Sequence, residues 1–128
     1  MVEIAIPHLP RHTGYTFMEF SRRHGDYAQA GVAAVVTLDE EGVCQDVRLV
    51  YLNAGEKPMV ARQAAEMMVG EKPDKELIAA AAQFASEKEI DPTADIHDSA
   101  EFKRHLAFVL GKRTIERAVS RAKAEISL

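Results

Sequence analysis

The sequence predicts an α+β fold: a two-layer sandwich in which an antiparallel sheet of three or four strands precedes three helices packed on one of its faces. Three observations predict it. Apolar residues recur with a period of two across residues 28–52 and with helical spacing after Pro58. The strand-like segments come first and the helical ones after, which places strands and helices in separate layers. Between two runs rich in β-branched residues lies Asp39-Glu40-Glu41-Gly42, with acids early and glycine last, as a hairpin connection requires.

Taken in order, residues 2–7 alternate and end at Pro7, so they read as a short edge strand. Residues 8–14 form a loop broken by Pro10 and Gly14. A second strand covers 15–23, with aromatics at Tyr15, Phe17 and Phe20. The third, residues 28–38, is small and β-branched throughout and suits a strand covered on both faces, or nearly so. The fourth, residues 43–54, puts Val47, Leu49 and Tyr51 on one face and Val50 and Leu52 on the other. Strands three and four form the central hairpin. The first helix follows Pro58, with Val60, Ala64, Met67 and Met68 inward, an Arg62–Glu66 pair and Gly70 as its stop. Pro73-Asp74 opens the second, striped by Leu77, Ile78, Ala81, Phe84 and Ala85. After Asp91-Pro92 a polar loop leads to a capping box at Asp98-Ser99-Ala100-Glu101. The third helix then runs to about residue 126, with Phe102, Leu106, Val109, Leu110, Ile115, Ala118, Val119 and Ala122 inward and Gly111 as a kink point.

A chain of 128 residues with 47% hydrophobic and 28% charged residues is one soluble globular domain. Its net charge of −4 argues against a nucleic-acid partner, whose proteins carry a basic face. No apolar run approaches the ~20 residues of a membrane span. The lone Cys44 excludes an internal disulfide and, within a strand pattern, reads as a buried inert thiol. His8 and His12 are separated by Pro10 and have no third ligand nearby, so no metal site is expected there; His24, His97 and His105 receive no role. The expected location is the cytoplasm.

The stretch Phe20-Ser21-Arg22-Arg23-His24-Gly25-Asp26-Tyr27-Ala28, running into Val32-Ala33-Ala34-Val35-Val36, sets charge at the mouth of a buried strand. Together with Pro58, Ala65-Glu66, Gly70, Asp91-Pro92 with Asp95, Ser99-Ala100-Glu101-Phe102-Lys103-Arg104 and Arg113, in that order, it resembles the C-terminal domain of the flavoprotein (medium) subunit of molybdenum hydroxylases. That family includes the aerobic carbon monoxide dehydrogenases and xanthine dehydrogenases. The resemblance covers residues 1–128 as one domain and implies the same sheet-and-helix sandwich, without the family's N-terminal FAD-binding domain. It further implies an oxidoreductase assembly. Electrons pass from a molybdenum–pterin centre in a large subunit, through [2Fe–2S] clusters in a small subunit, to FAD in the medium subunit. This domain would help form the FAD site and dock subunits, and would not be catalytic by itself.

The resemblance also assigns cofactor-facing positions. The family's flavin-contacting lysine falls on Met18, and Arg22, Arg23 and Asp26 form the rim beside it. Read as residues alone, those last three serve equally as an Arg–Asp pair pinning the Gly25 turn. No catalytic constellation appears, and no glycine-rich loop to cradle a pyrophosphate, so FAD is not expected to stay on this chain alone. Lys103 and Arg104 read as helix-surface pairs with Glu101 or nearby acids. Lys112, Arg113, Arg117, Arg121 and Lys123 read as a solvated face. The alternative function is a stand-alone interaction or dimerisation module with no flavin role.

Overall fold

Alternation makes Thr13–Phe20 (β1), Ala30–Leu38 (β2) and Cys44–Leu52 (β3) into strands, joined by the two-residue Met59–Val60 (β4). The computed structural model describes residues 3–21, 30–53, 57–92 and 99–126. The sheet is antiparallel with order β1-β2-β3-β4. Val32, Ala34, Val36 and Leu38 of β2 and Leu49 and Tyr51 of β3 are almost wholly buried and point towards the helices. Each side chain the size of leucine buried there contributes about 1.5–3 kcal/mol. On the other face of β2, Gly31 and Thr37 are buried and Ala33 and Val35 half-covered, so the strand is enclosed on one side and nearly so on the other, as expected.

The β2–β3 hairpin closes as its acids and glycine dictate. Asp39 accepts hydrogen bonds through Oδ1 from the Glu41 and Val43 amides at 2.8 and 2.9 Å. Gly42 takes φ +89, where a side chain would be strained. Beyond it Leu38 pairs with Cys44 while Thr37 pairs with Asp46, so Gln45 is an extra residue that bulges β3.

Arg62–Met68 (α1), Lys75–Phe84 (α2) and Ala100–Ile126 (α3) form the second layer. Asp74 caps α2, accepting from the Leu77 amide at 2.7 Å, and Ser99 caps α3, accepting from the Phe102 amide at 3.1 Å. No side chain of its own caps α1. Its first amides instead donate to the Glu89 carboxylate, Gln63 N–H to Oε1 at 2.7 Å and Ala64 N–H to Oε2 at 2.8 Å. Glu89 ends a π-helical turn, Ala85–Glu89, that continues α2. The acid is thereby set against the positive end of a neighbouring helix.

Several boundaries differ from the sequence reading. The edge strand expected over residues 2–7 does not form among the described residues 3–10, which pair with no described strand. Val60 belongs to β4 rather than to the first helix, and it is exposed together with Met67; Ala64, Ala65 and Met68 are the buried side of α1. Phe102 is 41% exposed rather than inward, because the opening of α3 runs past the core. Gly111 does not divide α3, which is one helix across it. A Cβ there would lie 2.5 Å from the Tyr51 hydroxyl, so the glycine makes room for a core side chain.

Candidate functional site

Of the expected cofactor-facing residues, Met18 is described and lies in β1; Arg22, Arg23 and Asp26 fall outside the described residues. Met18 pairs with Val32 and shares the helix-facing side of β1 with Gly14 and Thr16. It is half-buried and packs against the core. Phe20 follows it on the same side, exposed at the rim, opposite Ala30 in the last pair of the ladder.

The opposite face at this end is apolar. Phe17 leans diagonally over Gly31, where an added Cβ would meet its ring at 3.5 Å and the Leu52 Cβ at 3.5 Å. That spacing is ordinary van der Waals contact, so the ring and the strand are already in register for packing. Beside it Asn53 adopts φ 61 as β3 ends. For a flat heteroaromatic group such as a flavin ring, exposed Phe17 and Phe20 supply surfaces to stack upon. The two described glycines with positive φ, Gly42 and Gly70, lie in separate turns and do not make a phosphate cradle. Phe17 and Phe20 thus offer aromatic surfaces on opposite sides of β1 at this end of the sheet.

The basic residues of α3 divide by contact. Arg104 donates through Nη1 to the carbonyls of Ser86 at 2.7 Å and Glu87 at 3.2 Å, satisfying acceptors of the π-helical turn rather than pairing with Glu101. Arg121 donates to the Tyr15 carbonyl at 2.7 Å and to Thr16 Oγ1 at 3.2 Å. It therefore fastens the last helix to the outer edge of β1. Arg113 and Arg117 stand exposed. His12, with φ 60, serves its loop through its carbonyl, which accepts from the Leu38 amide at 3.0 Å. Among the described residues no three His, Cys, Asp or Glu side chains converge as a metal site. Burial pushes the Cys44 thiol up to about 11, which keeps it protonated and unreactive near neutral pH. No helix among the described residues is long and apolar enough to cross a membrane.

Sequence reasoning missed two features. The Tyr51 hydroxyl is buried against Gly111 with no hydrogen-bond partner among the described residues, and burial raises its pKa well above the ordinary phenol value. A groove of about 450 Å³ runs between β3 and α1, lined by Arg48, Val50, Val60, Arg62 and Val69 among others. The signal for the groove was β4, too short at two residues to show any alternation.

Residues 15–125 match the model of the CO dehydrogenase flavoprotein C-terminal domain. The chain is 37% identical over 123 residues to the 6-hydroxypseudooxynicotine dehydrogenase complex subunit alpha of Paenarthrobacter nicotinovorans, covering 96% of this chain and 41% of that one. It is 33% identical over 123 residues to the carbon monoxide dehydrogenase medium chain of Afipia carboxidovorans, covering 96% and 42%. Among solved structures it superposes on carbon monoxide dehydrogenase from Hydrogenophaga pseudoflava with a TM-score of 0.84 at 28% identity, covering 91% of this chain and 40% of that one. On quinoline 2-oxidoreductase from Pseudomonas putida 86 the TM-score is 0.80 at 32% identity, covering 86% and 38%. The chain spans about two-fifths of the length of the curated relatives it matches.

Proposed function

Because the chain belongs to the CO dehydrogenase flavoprotein C-terminal domain family, we propose that it serves as that domain in the medium subunit of a molybdenum hydroxylase. The observation that carries this reading is the family match across residues 15–125, the whole sheet and nearly all of the helical layer. In this role the chain closes one side of an FAD site whose pyrophosphate is held elsewhere in the subunit. FAD, when bound, supplies the electron transfer, between [2Fe–2S] clusters and an acceptor. The chain's own residues position and enclose it. Met18 holds the rim of β1 to the core, Phe20 offers an aromatic surface beside it, and Arg22, Arg23 and Asp26 supply the charge at the hairpin end. The partners in this reading are the FAD-binding portion, the molybdenum-containing large subunit and the iron–sulfur small subunit, assembled in the cytoplasm. A free, unpaired cysteine suits that compartment.

The test is to replace the matching segment of the Paenarthrobacter nicotinovorans subunit with this chain and measure flavin content and substrate-driven flavin reduction. The expected result is a yellow, reducible assembly. Arg22→Ala or Arg23→Ala should lower flavin content while changing the stability of the 128-residue chain by less than about 1 kcal/mol, as for exposed charge. If both substitutions unfold the chain and leave flavin content unchanged in the assembly, the two arginines are structural.

A further inference from the structure

We propose that the groove between β3 and α1 binds a short extended peptide segment of another protein, which completes the strand edge at Val47 and offers a carboxylate to Arg62. The groove lies on the far side of β2 from the β1 rim, and the proposal does not rest on the flavin role.

The strand edge can be followed from the bonds it already makes. Residues of a strand turn their backbone N–H and C=O groups alternately to its two edges. The Leu49 carbonyl accepts from the Ala61 amide at 2.9 Å, so Leu49 turns away from β2, and Val47, two residues earlier, turns the same way. Beyond the Gln45 bulge Cys44 does so too. Its amide donates to the Glu71 carbonyl at 3.0 Å, and its carbonyl accepts from the Gly70 amide at 2.8 Å. β4 pairs only with Val50 and Tyr51. Between these ties no described residue bonds the outward amide and carbonyl of Val47. Val47 is nevertheless buried, and buried backbone groups are nearly always paired. One rung of the ladder stands open.

The groove is built along that rung. Residues 46–50 all line it, and because successive strand side chains point to opposite faces, they share one groove only along the strand's edge. Val60 of β4 and Ala65 of α1, with Val69 just past that helix, supply the apolar lining, and the volume of about 450 Å³ is that of a concave ligand site. Arg62 also lines it, exposed. Arg62 forms no ion pair among the described residues, not even with Glu66 four positions on, whereas Arg48 is already paired with Asp46 at 3.4 Å. These features select the occupant. An amide and a carbonyl turned outward by one residue are matched by the amide and carbonyl of one residue in an extended chain, as when a peptide joins a sheet edge. The ties at Cys44 and Leu49 close both ends, so the partner inserts a short segment rather than a full strand. Its pairing residue is apolar, to meet the valines, and an acid beside it meets Arg62.

Backbone-amide NMR of the 128-residue chain tests the site, with the capped tripeptide acetyl-Val-Val-Asp-amide as the probe. Its titration should give saturable shifts centred on Val47, Val60 and Val69, and hydrogen exchange at the Val47 amide should slow by at least about tenfold. Methylating the central amide nitrogen of the probe removes the donor that meets the Val47 carbonyl and should weaken binding by about tenfold. Arg62→Ala should weaken the acidic probe by about fivefold and leave its asparagine counterpart unchanged; Arg62→Gln serves the same comparison if the alanine variant does not fold. Shifts that are absent, or that do not saturate at millimolar probe, overturn the site. Equal binding of the methylated probe shows an apolar groove without strand pairing and overturns the proposal. Shifts centred on Tyr15 and Phe17 instead place the peptide on the open face of the sheet, which also overturns it.

Discussion

Gly111 and Tyr51 permit a sharp test of how the two layers fit. Alanine in place of a glycine inside a helix ordinarily stabilises by about 1 kcal/mol. Here the new Cβ would stand 2.5 Å from the Tyr51 hydroxyl oxygen, while the ring carbons lie at 3.4 and 3.5 Å. Tyr51 is fully buried, so its ring has nowhere to retreat. Forcing a methyl into such a core costs about 1–3 kcal/mol, which outweighs the helical gain. Gly111→Ala should therefore destabilise by about 1 kcal/mol net. In the Tyr51→Phe background the clashing oxygen is gone, and what remains is ordinary contact. The same substitution should there stabilise by up to about 1 kcal/mol, a coupling of about 2 kcal/mol between the two positions. Urea denaturation followed by circular dichroism measures all four chains, with a shifted midpoint at constant slope reporting stability alone. An effect of Gly111→Ala equal in sign and size in both backgrounds would refute the reasoning, and with it the claim that this glycine exists for the tyrosine.

Two further outcomes follow from packing and ionisation. Gly14→Ala should destabilise by more than about 2 kcal/mol in thermal or urea melts, because a Cβ there would collide with the Ala118 carbonyl and approach the Ala122 amide nitrogen to 2.6 Å, both of them helix backbone. In alkali, Cys44 and Tyr51 ionise in the unfolded chain from their ordinary values of 9.0 and 10.0, while burial holds both neutral in the folded one. Stability should be full below pH 9 and fall as pH rises towards 11, and Cys44→Ala should remove a part on the order of 2 kcal/mol, read from urea midpoints at successive pH values.

What was legible in the sequence was what period and turn chemistry encode. Val47, Leu49 and Tyr51 fall on the buried face and Val50 and Leu52 on the other, as alternation requires, because in a strand each side chain's face is fixed by its neighbour. Asp39 and Gly42 close the hairpin for local reasons that the tetrapeptide carries by itself. Features that depend on distant partners were not legible. Glu89 caps α1 from 25 residues away or more, and nothing near Gln63 in the sequence announces it. Residues 2–7 alternate like a strand in the sequence, but a strand exists only beside another. Gly111 looked like a helix fault because its reason, Tyr51, belongs to another layer. At the candidate site, alternation along Met18-Glu19-Phe20 puts Met18 and Phe20 on one side of β1, as the structure shows. It could not reveal that this side faces the helices, while Phe17 and Tyr15 hold the open one.

The tie between Arg121 and the Tyr15 carbonyl joins residues 106 positions apart. A chain leaving the ribosome thus exposes the outer edge of β1 long before its guard has been made. During that interval the edge presents bare amides and carbonyls of the kind that pair with other nascent strands. The helical face of β1 waits just as long, since Gly14 meets Ala118 and Ala122 only when α3 arrives. The sheet can begin at the β2–β3 hairpin, whose contacts are local, but its first strand is completed last. Such dependence on distant contacts slows folding and lengthens exposure to aggregation. A premature stop before residue 121 would therefore do more than shorten a helix: it would release a sheet with its edge unprotected.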